Sequence, residues 1–130
     1  MRADRIEGIR GYGNTLIIPC ELNNRHHVDL LVDTGSVYTA ISKQSAALIG
    51  LDLSQPVKRL SISTAQSVIS APLFYIDALQ VGGWQVKQIE VIVLSLPTNI
   101  HVDGLLGVNF LRRFRTTFEF DQATLVLRQT

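Results

Sequence analysis

The segment Leu30-Leu31-Val32-Asp33-Thr34-Gly35-Ser36 holds the residues best suited to chemistry in this 130-residue chain. A carboxylate, Asp33, directly follows an apolar run that reads as a strand buried on both faces. Burying a lone carboxylate is costly, so Asp33 must be hydrogen-bonded, paired or protonated there. Gly35 lets the backbone turn sharply and come close to another group. Thr34 contributes a hydroxyl that can bond without carrying charge. The same residues also fit a plain Asx-turn, in which Asp33 only accepts backbone N–H bonds.

Other chemically capable residues carry less. His26-His27 and His101 are the three histidines. Neighbouring histidines on a strand point to opposite faces and do not easily share one ion, so they read as a polar turn beside Asn23-Asn24-Arg25, and no metal is expected. The single cysteine, Cys20, excludes an intrachain disulfide and a multi-cysteine zinc site, and reads as a core or edge thiol. Ser36, a histidine and Asp103 lack the Gly-x-Ser-x-Gly elbow of a serine hydrolase; Asp103 reads as support for the turn before Leu105. Gly11-Tyr12-Gly13 is followed by neither the third glycine nor the lysine of a nucleotide loop, so no cofactor is expected. Arg112, Arg113 and Arg115 read as a solvated helix face, and Trp84 as a strand anchor.

The elements that must position Asp33 read mostly as strands. Valine and isoleucine make up 24 of the 130 residues and fall in short runs, as a half-buried pleated surface requires. Residues 15–22 form a strand, with Pro19 marking an edge or bulge. Asn23-Asn24 turns it into the returning strand Val28 to Val32. Thr39-Ala40-Ile41 is a short strand, Ser42 caps a helix over 43–49, and Gly50 ends it. Val57 to Ala65 and Val68 to Leu79 are strands around a polar tip, and Gly82-Gly83 turns into a strand over 84–94. Gly104-Leu105-Leu106-Gly107 opens a short helix over 108–114, where Val108, Leu111 and Phe114 have helical spacing. Phe118 to Phe120 and Thr124 to Leu127 are the last strands. No repeat or linker interrupts the chain, so residues 1–130 read as one domain, mostly β, with a closed or sandwiched sheet and two short helices.

Composition narrows the class further. An apolar fraction of 46% with 18% charged residues excludes intrinsic disorder. A net charge of +1 gives no electrostatic case for a nucleic-acid partner. Residues 1–7 are charged without an apolar core behind them, unlike a secretory signal. The longest charge-free run, Leu60 to Ile76, is too polar to span a bilayer, so no membrane partner is expected. One cysteine suits a reducing compartment, and the location expected is cytoplasmic.

Two segments together resemble a known family. Apolar-apolar-apolar-Asp33-Thr34-Gly35-Ser36 is similar to the active-site loop of aspartic proteases. Gly104-Leu105-Leu106-Gly107-Val108-Asn109-Phe110-Leu111 is similar to the apolar-apolar-Gly stretch and following helix of retropepsins. The resemblance runs from about Leu16 to Leu127 and looks closest to the bacterial and Gag-like single-domain members. It implies a retropepsin-like closed β-barrel or sandwich and an aspartic endopeptidase. One Asp-Thr-Gly per chain implies a homodimer in which Asp33 of each subunit is catalytic and the two carboxylates share a proton. It implies that Thr34 bonds across the interface, that the Gly35 carbonyl accepts a bond from an extended polypeptide substrate, and that Ser36 supports the loop. Leu105, Leu106 and Gly107 would pack behind Asp33. Ser63, Thr64, Ala65, Gln66 and Ser67 would form the flap that closes over substrate. Retroviral members carry a glycine-rich flap and an Asp–Arg pair; here the tip has no glycine, and Val37 and Val108 stand where the pair would be. The glycine-free tip motivates an alternative, a catalytically silent dimerisation or peptide-binding module on the same scaffold.

Overall fold

A computed structural model describes residues 3–63, 66–97 and 99–130. The chain begins with strands β1 (Ala3–Glu7) and β2 (Ile9–Arg10), followed by β3 (Leu16–Leu22) and β4 (His26–Val32). In β3, Leu16, Ile18, Cys20 and Leu22 are buried on one face, the period of two that a half-buried strand requires. Asn23 and Asn24 turn β3 into β4 with φ of 52° and 61°, a left-handed geometry that asparagine tolerates. Pro19 has β4 alone beside it, because β2 pairs with Leu16 and Ile17, and a later strand pairs with Glu21 and Leu22. Its missing N–H therefore costs no second ladder.

Strand β5 (Thr39–Ser42) leads into helix α1 (Lys43–Leu48), where Ser42 Oγ accepts from the Ser45 N–H at 3.0 Å as the N-cap. Strands β6 (Lys58–Ser63), β7 (Val68–Val81) and β8 (Trp84–Leu94) form successive antiparallel pairs. A short strand β9 (Gly104–Leu106) precedes helix α2 (Val108–Leu111), and β10 (Arg115–Glu119) and β11 (Thr124–Arg128) follow.

Two sheets result. The larger runs β2-β3-β4-β9-β5-β8-β7-β6, and pairing of β3 with β7 closes six of its strands into a ring. The smaller runs β1-β11-β10. The main core joins both sheets and both helices, with Ala46 from α1 and Phe110 from α2; Leu16, Ile18, Leu30, Ile41, Phe110 and Leu125 each bury a side chain for about 1.5–3 kcal/mol. A second cluster of Ala40, Ala71, Leu73 and Ile92 sits under Leu60, Ile62, Tyr38 and Leu105. No helix among the described residues is long and apolar enough to cross a membrane.

The structure departs from the sequence reading in four places. Residues 3–7 and 9–10 are strands, although their charged composition gives no such sign. Gly104–Leu106 is itself a strand rather than only a lead into a helix, because it lies between β4 and β5 and pairs with both. The helix after it ends at Leu111 instead of residue 114, and β10 begins at Arg115, where its ladder with β11 opens at Arg115 opposite Arg128. Within the run Leu30-Leu31-Val32, Leu30 is buried but Leu31 and Val32 are only half-buried.

Candidate active site

Asp33 is the first residue beyond β4. β4 runs parallel to β9 up to the pair Val32–Leu106, and the Asp33 N–H extends that ladder by donating to the Leu106 carbonyl at 3.0 Å. The side chain is half-buried. Its Oδ1 accepts from the Gly35 N–H at 2.9 Å, and the Asp33 carbonyl accepts from the Ser36 N–H at 3.2 Å. The first bond is the Asx-turn that the residue types allow, and the second closes a β-turn over the same residues. The turn leaves Oδ2 with no bonded donor among the described residues, so a carboxylate oxygen remains available to a reacting molecule. Thr34 and Gly35 are exposed.

The loop is clamped from behind. Ser36 Oγ donates to the Tyr38 carbonyl at 2.6 Å, the Val108 N–H to the Ser36 carbonyl at 2.8 Å, and the Asn109 N–H to the Val37 carbonyl at 3.1 Å. Residues 33–37 are thereby held at three backbone points by residues 106–109. Gly107 makes this approach possible: a Cβ there would collide with the Tyr38 carbonyl. Leu106 and Gly107 are buried and Leu105 is half-buried in the second core cluster.

Two residues that the sequence reading passed over complete the clamp. Asn109 Oδ1 accepts from the Thr39 N–H at 2.8 Å and from Thr39 Oγ1 at 2.9 Å, while its Nδ2 donates to the Glu90 carbonyl at 2.7 Å. Thr39, fully buried, accepts the Gly107 N–H at 3.2 Å through the same hydroxyl. The signal was present as a lone polar residue inside Val108-Asn109-Phe110-Leu111. A half-buried amide side chain must find partners, and here they are the Thr39 backbone and hydroxyl and the Glu90 backbone, on two separate strands.

A hollow of about 690 Å³ also escaped the sequence reading. Tyr12, Ile17, Leu31, Ile100, His101 and Val102 line it. Leu31 is the only residue of β4 in this lining; it precedes Asp33 by two positions, and Asp33 itself does not line the hollow. Ile100 and Val102, which supply part of its apolar wall, stand in a loop whose composition shows no periodic pattern.

The remaining candidates fall elsewhere. Ser63 ends β6 opposite Val68, and Ser63, Gln66 and Ser67 are exposed. Thr64 and Ala65 of the expected flap lie outside the described residues. Asp103 Oδ2 accepts from the Asp29 N–H at 2.8 Å, fixing the start of β9 against β4. His26 and His27 begin β4 rather than lying in a turn, because they pair with Leu22 and Glu21 of β3; His27 stands 3.6 Å from Glu21 at the end of β4 opposite Asp33, and no group of three potential metal ligands occurs among the described residues. Cys20 is buried, and burial, with Asp29 adding, pushes its thiol far above the usual range, so it is no nucleophile. Trp84 is half-buried and rests against Phe114, with ring centroids 5.2 Å apart.

The sequence profile described as "gag-polyprotein putative aspartyl protease" matches residues 18–113, a span that contains the Asp33 loop, β9 and α2. Among solved structures, a retropepsin-like aspartic protease from Rickettsia conorii superposes with a TM-score of 0.76 at 26% identity, covering 98% of this chain and 92% of that one. A search of curated proteins returned no match. The loop geometry, the profile and the superposition agree: this chain belongs to the gag-polyprotein aspartyl protease family and has a retropepsin-like fold.

Proposed function

We propose that the chain is an aspartic endopeptidase that works as a homodimer, with Asp33 of each subunit forming the catalytic pair. The observation that carries this reading is the Asp33 loop: a half-buried carboxylate, one oxygen held by Gly35 and the other open, on a turn clamped to residues 106–109. One such carboxylate is half of an acid–base pair, and a two-fold axis supplies the other half. Two carboxylates brought together hold one proton between them. The ionised Asp33 takes a proton from water, whose oxygen attacks the scissile carbonyl carbon. The protonated Asp33 gives its proton to the carbonyl oxygen. A proton then passes to the amide nitrogen, the C–N bond breaks, and a carboxylic acid and an amine leave.

In this reading Thr34 bonds across the dimer axis, the Gly35 carbonyl receives a substrate N–H, and Ser36 braces the turn. The substrate is an extended polypeptide covered by Ser63 to Ser67. The apolar walls beside Leu31 suit an apolar substrate side chain. The test is cleavage of an unfolded protein substrate across acidic to neutral pH, wild type beside Asp33→Asn, with mass measured by light scattering on the same samples. Loss of cleavage in a folded Asp33→Asn dimer is expected. Undiminished cleavage by that variant, or an active monomer, would overturn the reading.

A further inference from the structure

A second hollow, of about 520 Å³, opens between the β6–β7 hairpin, the end of β8 and the start of α1. It shares no lining residue with the Asp33 loop or with the hollow beside Leu31. Leu53, Pro72 and Leu94 give it apolar walls, while Lys43, Arg59 and Ser70 give it polar ones. Arg59 lies opposite Pro72 in the β6–β7 ladder, on the face that also carries Ser70.

Arg59 is fixed in place by neutral groups. Its Nε donates to Ser70 Oγ at 2.8 Å and its Nη2 to the Ser70 carbonyl at 3.3 Å. No carboxylate is among the lining residues. Asp52, next to Leu53 in the chain, spends its Oδ1 on the Ser54 N–H at 3.0 Å and on Ser54 Oγ at 2.6 Å. Among the described residues the guanidinium is thus held in position without a matching charge, and Lys43 adds a second cation. A pre-positioned guanidinium loses little side-chain freedom on binding and pairs with a carboxylate through two parallel bonds.

We infer that this hollow binds an acidic stretch of polypeptide, with Arg59 and Lys43 pairing Asp or Glu carboxylates and an intervening apolar side chain resting on Leu53, Pro72 and Leu94. Two cations over apolar walls complement alternating acidic and apolar residues, and no part of this binding uses Asp33, so it stands whether or not the chain cleaves peptides. Fluorescence anisotropy of the full chain with labelled Glu-Leu-Glu-Leu-Glu-Leu tests it, with peptide integrity checked by mass spectrometry. Saturable binding that weakens with ionic strength is expected. Charge reversal by Lys43→Glu with Arg59→Glu should weaken it by roughly tenfold or more, while Lys87→Glu, at an exposed site on β8, should not. Both hollow cations are exposed, so the double variant keeps its fold, and the milder Arg59→Gln should weaken binding in the same direction. Absence of saturable binding would overturn the inference. So would a double variant that binds as wild type does, equal binding of Gln-Leu-Gln-Leu-Gln-Leu, or displacement by an equal concentration of free glutamate.

Discussion

Replacing Thr39 by valine isolates the bond that fixes the back of the Asp33 loop. The two side chains have nearly the same shape, so packing is preserved while the hydroxyl is lost. Thr39 Oγ1 donates to Asn109 Oδ1 at 2.9 Å and accepts from the Gly107 N–H at 3.2 Å. Asn109 Oδ1 keeps its bond from the Thr39 N–H and is not orphaned. The Gly107 N–H loses its hydrogen-bond partner at a buried position. The lost bond contributes about 1 kcal/mol, and leaving a buried donor unsatisfied costs about 1–3 kcal/mol in all. The expected loss is therefore about 2 kcal/mol, which for a chain of 130 residues lowers Tm by about 7 °C. Thr39→Ser makes the opposite change: it keeps the hydroxyl and removes a methyl, for about 1 kcal/mol. Urea unfolding at one fixed protein concentration measures both, so that assembly contributes equally. If Thr39→Val matches wild type while Thr39→Ser is the less stable variant, packing holds this site and the hydrogen-bond reasoning fails.

Glycine replacements should separate a close approach from a backbone preference. Gly107→Ala forces a Cβ into the Tyr38 carbonyl and should cost about 3 kcal/mol or more, read by urea unfolding or as lost soluble yield. Gly50→Ala, at φ +80° in open space, should cost only about 1 kcal/mol; equal losses at the two sites would refute the distinction. The Cys20 thiol, pushed up by burial, should make stability fall with rising pH. Below about pH 8.5 folded and unfolded thiols are both protonated and contribute no slope; above it the unfolded thiol ionises while the folded one does not. The unfolded chain then binds fewer protons, and stability should fall by up to about 1.4 kcal/mol per pH unit, a slope that Cys20→Ala should remove. A thiol reagent should label Cys20 only on unfolding, and fast labelling of the native chain would contradict its burial.

The parts of this fold that depend on local chemistry could be read directly from the residues. Asn23-Asn24 marks its hairpin because asparagine accepts positive φ, Ser42 marks a helix start because its hydroxyl caps, and Gly82 has the positive φ of a turn residue. The Asp33 loop was legible for the same reason: a carboxylate, a hydroxyl and a glycine in three consecutive residues define its own turn. What escaped depends on partners far away in the chain. β1 buries only Ile6 and exists because Ala3–Glu7 pairs with Thr124–Arg128. Leu105 and Leu106 look like the approach to a helix until β4 and β5 stand on either side of them. Asn109 and Thr39 are ordinary residues alone, and their role arises only when the fold brings together two positions 70 apart in the chain.

The insertion of β9 between β4 and β5 also sets an order of events during synthesis. Residues 26–32 and 39–42 leave the ribosome well before residues 104–106, which must lie between them. Until then two strands of the future sheet have unpaired inner edges, and a nascent chain cannot assemble the support behind Asp33. Non-local pairings of this kind slow folding and expose sticky edges in the meantime. The support behind Asp33 is therefore withheld until residues 104–106 have been made, and a product truncated before residue 104 should lack it and be prone to aggregate.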